Sequence, residues 1–494
     1  MLGYWMDVSA VRSGIFIPKY YDPELRRAVL SLSATHDLLR VGDLIEAGVI
    51  SLDTGDEIGS ESYGTGNIPF VRTSDISNWE IKTAPKQGVS EQVYARFAPK
   101  QDVREGDILL VRDGTYLIGT NCFVTALDAK LLFQSHILRI RVEKPEKVSP
   151  QAIFLALNGS LAQRQIRSVQ FTADIIDTIG SRFEEVLLPV PRDAQRRAAL
   201  EKDLIGALDL RVRGKCFVKQ APLLLEETLR TGSAAPMRTF LAKSPKELST
   251  VLVQDTVSLE FGGFEAVWVR ANEIRDSIFL PKYYDPEIDA ELEALGDHCD
   301  VLSIGELRAK GVVEWITGDE PGKMAYGTGD VPFIRTSDFA NWEIKHDPKQ
   351  GMAEFIYAAY RKSQDVRPGD VLLVRDGTYL VGSSTIVQAG DDRMVFCGGL
   401  FKLRSLDHAS LSPYLLLALL NSYIVKRQMR SKQFTRDVID TLGRRIDEVR
   451  VPIPRSGALR EEVAAIVRLI VESRLEARNR IKALARESEE LSTL

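Results

Sequence analysis

Hydrophobic and polar residues follow two alternating patterns along this chain, and both patterns return in the same order in its second half. Short apolar runs bounded by turn residues come first. Residues 108–111 (ILLV) and 116–119 (YLIG) flank Arg112-Asp113-Gly114-Thr115, and Asp-Gly between apolar strands predicts a hairpin. Ser149-Pro150 and Ser412-Pro413 each combine an N-cap with a first-turn proline, opening helices through AIFLALNGSLAQRQIRS and YLLLALLNSYIVKRQMRS. A longer helical period then takes over. Val463, Ile466, Val467, Ile470, Val471 and Leu475 recur at helical spacing across 457–490, and Leu200, Leu204, Leu208 and Val212 do so across 194–221. Pro222 is expected to end or kink that first helix. Each helix has one apolar stripe and one charged face, and the stripes can be buried against each other in an antiparallel pair.

The two halves are copies. Residues 1–231 align with 264–494 at a constant offset of 263, without a gap. Trp5 falls on Trp268, IFIPKYYDPE (15–24) on IFLPKYYDPE (278–287), and FTADIIDTIG (171–180) on FTRDVIDTLG (434–443). Between 63–119 and 326–382, 38 of 57 positions are identical, so the period marks a domain duplication and not a solenoid. The expected fold class is α+β, a mixed α/β domain in tandem, each copy followed by a long helix, with the two helices paired as an antiparallel coiled-coil spacer. The boundaries read as domain 1 over 1–191, helix 1 over 192–231, a linker over 232–263, domain 2 over 264–454 and helix 2 over 455–494. The linker begins TGSAAPM, a linker-like composition.

Composition narrows the class. A chain of 494 residues with 44% hydrophobic and 27% charged residues is expected to be soluble and globular. No apolar run is long enough to cross a bilayer, and the first residues carry no leader pattern. The four cysteines, Cys122, Cys216, Cys299 and Cys397, are far apart and suit a reducing cytoplasm. A net charge of −5 counts against nucleic-acid binding when taken alone, although a local basic patch on an acidic body remains able to bind it. Catalytic signatures are missing. The sequence holds no P-loop, methyltransferase, dinucleotide-binding, HExxH or Cys/His zinc pattern. A nuclease cluster of Asp107, Asp113, Glu143 and Lys144 is disfavoured because the second copy has no acid–lysine pair matching the last two. No catalytic residue, metal or cofactor is expected.

Recognition is better supported. The most identical segments are polar: RTSD, NWEIK and RDGTY. Arg72, Thr73 and Ser74, with Arg335, Thr336 and Ser337, are candidate donors to phosphates or base edges. The competing reading folds Asp75 and Asp338 back on the arginines as internal salt bridges. Arg112 and Tyr116, with Arg375 and Tyr379, flank the expected hairpin tip. Arg164, Arg167, Lys426, Arg427, Arg430 and Lys432 lie near helix ends, where a basic group serves phosphate or merely complements the helix dipole. These residues are the candidate DNA-binding set. Leu200, Leu204, Leu208, Val463, Val467, Ile470 and Val471 are the candidate partner-docking set.

On these motifs the chain resembles the specificity subunit of type I restriction–modification systems. The pattern is IPF-[VI]-RTSD, then GD-[IV]-LLVRDGTYL-[IV]-G, then [LV]P[VI]P leading into a long helix, and it occurs twice. The resemblance implies a non-catalytic, cytoplasmic subunit with two target-recognition domains, each reading half of a bipartite site on double-stranded DNA. It also implies helices that space the domains and dock two adenine-methyltransferase subunits, with a restriction translocase as a further partner and phage defence as the setting. The sequence departs from the family at the start of each spacer helix, which reads PVPRDAQRRA (189–198) and PIPRSGALRE (452–461), and so fits a divergent, methylation-associated system. A standalone nuclease and a two-fold protein scaffold are the alternatives.

Overall fold

The structure, a computed structural model, describes residues 11, 15, 17–114, 116–173, 176–244, 247–248, 269–275, 278–377, 379–436 and 439–490. Trp5, Trp268 and the linker from 249 onward lie outside the described residues. Each repeat builds the same set of small sheets. In the first, an antiparallel four-stranded sheet runs Ile50–Thr54, Ile137–Val142, Ile108–Val111, Asn121–Phe123. Beside it lies a three-stranded sheet centred on Ile68–Val71, which pairs antiparallel with Gln87–Val89 and parallel with Leu132–Phe133. A further antiparallel pair, His36–Arg40 with Leu187–Pro191, joins the start of the repeat to its end. The second repeat reproduces every one of these pairings, with Val313–Thr317, Leu400–Ser405, Val371–Val374 and Ser384–Ile386 as its main sheet. Ile108, Leu109, Leu110 and Val111 are all fully buried, which explains why that strand reads as an unbroken apolar run.

The predicted serine caps form. Ser149 Oγ accepts from the Ala152 amide at the head of Pro150–Asn158, and Ser412 Oγ accepts from Leu415 at the head of Pro413–Leu420. Each of these helices is followed at once by a second, Ser160–Ser168 and Tyr423–Ser431. The Asp-Gly hairpin is corrected. Ile108–Val111 pairs in register with Asn121–Phe123, and the Gly119 amide donates to the Val111 carbonyl at 3.0 Å, so the hairpin forms around a longer connection than the sequence pattern implied. Asp113 instead bridges Thr178, and the Gly114 amide donates to the Asp177 carbonyl at 2.8 Å. Gly114 takes φ 119° and Gly377 φ 130°, values closed to side-chain-bearing residues, so the glycine serves this bridge and not a two-residue turn.

NWEIK also has a structural role. Asn78 and Trp79 have φ of 50° and 63°, and Asn341 and Trp342 have 51° and 63°. Two successive left-handed residues form the tight turn between Ile76–Ser77 and Glu80–Ile81, and between Phe339–Ala340 and Glu343–Ile344. Both tryptophans are buried, and Trp79 Nε1 donates to Asn158 Oδ1 at 2.8 Å.

The first long helix runs Ala194–Thr231 and continues past Pro222, so the expectation that it ends there is corrected. Neighbouring Ala221 and Leu225 are fully buried, and packing of this face outweighs the hydrogen bond that proline removes. The second long helix is Gly457–Glu487, and the two pack together antiparallel. Residues 235–241, read as linker, form a further short helix, Ala235–Leu241.

The described residues fall into two compact units whose borders cut across the repeats. One takes in residues up to Ile81, Pro85–Asp209 and the chain from Ala477; the other takes in Lys82–Ala84 and Leu210–Glu476. Each unit therefore contains parts of both long helices. In the first unit, Arg196 donates to the Glu487 carbonyl and Arg480 pairs with Asp203. His36 Nε2 donates to the Ser488 carbonyl at 2.8 Å, and Glu489 accepts from the Leu161 amide at 2.8 Å, capping Ser160–Ser168. In the second unit, Glu226 accepts at 3.4 Å from Ile424, in the first turn of Tyr423–Ser431. Glu226 and Glu489 occupy equivalent positions of the two copies, and burial pushes both carboxyls up. Where the helices cross in the second unit, Arg211 and Arg474, also equivalent, converge on the buried Glu343 at 2.9 and 2.6 Å.

Candidate nucleic-acid interface

The chemistry-bearing loops of each unit gather around the strand pair Phe171–Ala173 and Ile176–Thr178, or Phe434–Arg436 and Ile439–Thr441. In the first unit Asp113 is the hub. Its carboxylate accepts from Thr178 Oγ1 at 2.5 Å, from His136 Nδ1 at 3.0 Å and from Arg112 Nε at 3.3 Å. Burial pushes this carboxyl up, but the three hydrogen bonds together hold it below its usual value. Arg167 donates to the Tyr116 carbonyl at 2.9 Å, and the Tyr116 side chain is exposed. Alongside, Arg182 lies 4.0 Å over the Phe171 ring, which Tyr20 also approaches.

The second unit repeats the plan with more positive charge. Arg375 pairs with Asp376 at 3.0 Å, Arg430 donates to the Tyr379 carbonyl at 2.7 Å, and Arg445 lies 4.1 Å over Phe434. Lys282 sits among Arg430, Arg445 and Asp440; burial lowers its pKa, Asp440 resists the shift and the arginines add to it. Lys426, one turn before Arg430, has no ion-pair partner among the described residues. Burial, aided by Arg430, pushes its ammonium down to about 8. Its counterpart Gln163 is neutral and donates to the carbonyls of Gly119 and Leu157.

The structure thus brings Arg112, Tyr116 and Arg167 together in one unit, and Arg375, Tyr379, Lys426 and Arg430 in the other. The RTSD turns lie next to these loops. In the second unit the Cβ position of Gly399 is 3.0 Å from Thr336 Cγ2 and 3.8 Å from Asp376 Cβ. Asp75 and Asp338 do fold back, as the competing reading held, but onto the backbone amides of Arg72 and Arg335, at 3.0 and 2.9 Å. Burial pushes the Asp338 carboxyl up. Ser74, Arg335 and Ser337 are exposed, while Arg72, Thr73 and Thr336 are half-buried; Arg72 Nε is buried without a hydrogen-bond partner.

Other candidates are engaged elsewhere. Arg164 pairs with Asp22 and Glu24, and the nearly buried Arg427 is clamped by Asp285, Glu287 and Glu291. Lys432 pairs with Glu448 at 3.3 Å and lies over the Tyr283 ring. The docking stripe is corrected: Leu200, Leu204, Leu208, Val463, Val467, Ile470 and Val471 are all buried within the chain. Covered by the rest of this chain, these seven side chains are not accessible to another subunit, whereas Ile205 and Leu469 on the same helices are exposed. The disfavoured nuclease cluster is dispersed as well. Asp107 is tied to Arg141 at 2.8 Å, Glu143 accepts from Ser51, and Lys144 donates to the Ala47 carbonyl. Among the described residues no group of three His, Cys, Asp or Glu side chains is placed to hold a metal, and no helix is long and apolar enough to cross a membrane.

Sequence reasoning missed His136, Lys282, Arg445 and Thr178. The repeated FTADIIDTIG and FTRDVIDTLG segments carried the signal for the last, since a strand pair alone does not require Asp-Thr at its end.

The fold and the loops define a tandem-duplicated α+β protein with one polar, cation-bearing loop cluster per copy. No protein-family model and no curated protein sequence matches the chain. Among solved structures, it is similar to the S subunit of a type I restriction–modification system from M. genitalium, at 11% identity and TM-score 0.34, covering 93% of this chain and 97% of that one. It is also similar to the HsdS subunit from Thermoanaerobacter tengcongensis, at 16% identity and TM-score 0.27, covering 92% and 95%. A structure from work on assembly and conformational transition of the type I R-M system gives 17% identity and TM-score 0.27.

Proposed function

We propose that the chain is the DNA-sequence-recognition subunit of a restriction–modification or related methylation-based defence complex, of the type I specificity-subunit kind that its motifs resemble. One observation carries this reading: a gap-free duplication keeps the same Arg-Asp-Gly-Thr-Tyr loop and its supporting strand pair in both copies, while LDAKLLFQSH (127–136) and GDDRMVFCGG (390–399) differ around it. A frame that is kept while its edges change suits two readers of two different short sequences. The target is then bipartite and asymmetric, with unread bases between the specified segments. The chain itself does no chemistry; it directs two adenine-methyltransferase subunits to the site, and a restriction translocase joins the complex.

The test is binding of the full chain to duplex DNA across a salt series. Phosphate contacts make affinity fall linearly with salt on a log–log plot, by about 0.9 per contact for duplex DNA. Arg375→Ala, whose guanidinium pairs with Asp376 and lies over the Phe401 ring, is expected to lower that slope by one contact, or to relax base preference in one half-site, while melting as the parent does. A chain whose DNA affinity ignores salt, or a methylome with one continuous motif when the gene is expressed with its methyltransferase, would overturn the proposal.

A further inference from the structure

His136 and Gly399 occupy the same position of the two copies. Both sit in the loop that closes on the Arg-Asp-Gly-Thr-Tyr segment: the Arg112 amide donates to the His136 carbonyl at 3.0 Å, and the Arg375 amide to the Gly399 carbonyl at 2.9 Å. The backbone frame is therefore shared, and the imidazole is what one copy has and the other lacks.

The His136 ring is fixed and accessible. Its Nδ1 lies 3.0 Å from Asp113 Oδ2, and 36% of the side chain is exposed. A carboxylate held by Thr178 and Arg112 accepts from Nδ1, so the neutral ring keeps its proton there and offers Nε2 as an acceptor; a protonated ring offers Nε2–H as a donor. Among the described residues Nε2 has no partner. An anchored imidazole with one free nitrogen, beside Arg112, has the form of a reading group and not of a core histidine. His36 provides the contrast: it is fully buried, with both nitrogens engaged by Thr35 and Ser488.

We infer that His136 is a specificity-determining residue of the first recognition domain, contacting nucleic acid through Nε2, and that Gly399 removes this contact from the second. The inference rests on the proposed DNA-recognition role. Asp113 is the positioning residue that sets the tautomer and holds the ring plane.

The experiment selects bound sequences from a pool of duplexes with randomised bases, using the full chain and His136→Gly, which installs the residue that the second copy already carries at this position. The parent is expected to enrich two separated segments. The variant is expected to lose preference at one base pair of one segment, on the order of tenfold to a hundredfold, and to keep the other segment unchanged. His136→Gln, which retains a donor toward Asp113, is expected to alter the preferred base at that same position. Thermal melting of both variants identifies loss of folding, and protection of His136 from diethyl pyrocarbonate by the selected duplex provides a readout independent of any substitution. If the parent enriches no sequence, the DNA-recognition reading fails. If the parent enriches two segments and both variants enrich the same ones, with His136 unprotected, this inference alone is overturned.

Discussion

Lys426 and Gln163 stand at one position of the two copies and show what the second unit gives up for charge. Gln163 satisfies two carbonyls, whereas Lys426 brings an ammonium into a half-buried place beside Arg430 without a carboxylate among the described residues. Burial and that repulsion lower its folded pKa to about 8, from the ordinary lysine value of 10.5. For a base whose pKa falls on folding, the unfolded state binds more protons between the two values, so stability rises as pH climbs from about 8 to about 10.5. Lys426→Gln is expected to stabilise the protein at pH 7 by about 1–3 kcal/mol, with the gain shrinking as the pH is raised through that window. Urea unfolding at pH 7 and in the alkaline range measures it, and an equal difference at both would refute the assignment. A retained cost of this kind is typical of functional positions, so the same variant is expected to bind duplex DNA less tightly. Residues of this sort are only half legible in a sequence. Four positive charges within Lys426–Lys432 mark a basic helix end, but they do not distinguish Arg427, clamped by three carboxylates, from Lys426, which has none.

Elements follow the same division. The serine-capped helices and the apolar strand Ile108–Val111 are local objects, set by side-chain chemistry within a few residues, and the pattern along the chain foretells them. The Asp-Gly loop and the helix through Pro222 are not, because their conformation is decided by partners far away in sequence: the Asp177 carbonyl in one case, the packed face holding Ala221 and Leu225 in the other. Gly214, in the first long helix, makes a similar point. Alanine is the better helix former by about 1 kcal/mol, yet a Cβ here would lie 2.5 Å from Arg474 Cγ. Arg474 is fully buried and holds Glu343 at 2.6 Å, so it cannot swing into solvent without breaking that pair. Gly214→Ala is therefore expected to destabilise the protein by about 1–3 kcal/mol, against the helix-propensity trend. Calorimetry of the variant checks the sign, and a raised melting temperature would show that Arg474 has room to move.

At the scale of the whole molecule, each unit is completed by the far end of the other copy's helix. The end of the second helix supplies Glu489 to the first unit, and the end of the first supplies Glu226 to the second. The equivalence of these two residues predicts that a fragment of residues 1–263 pairs with itself, Glu226 of one copy taking the place of Glu489 on the Leu161 amide of the other. The stripe through Leu200, Leu204 and Leu208 favours this, each side chain contributing about 1.5–3 kcal/mol on burial. Light scattering on the purified fragment is expected to give a dimer at micromolar concentration, and a monomer with an ordered helix would contradict it. The number of copies, their mixed α/β character, the two long amphipathic helices and the polar loops that recur were all written in the sequence, because repetition and hydrophobic period are properties of neighbouring positions. The exchange of helix ends, the NWEIK turn, the burial of the helix stripes within the chain and the meeting of His136 with Asp113 were decided only by tertiary structure. Each depends on which distant groups come within a few ångströms, and a linear pattern does not encode that distance.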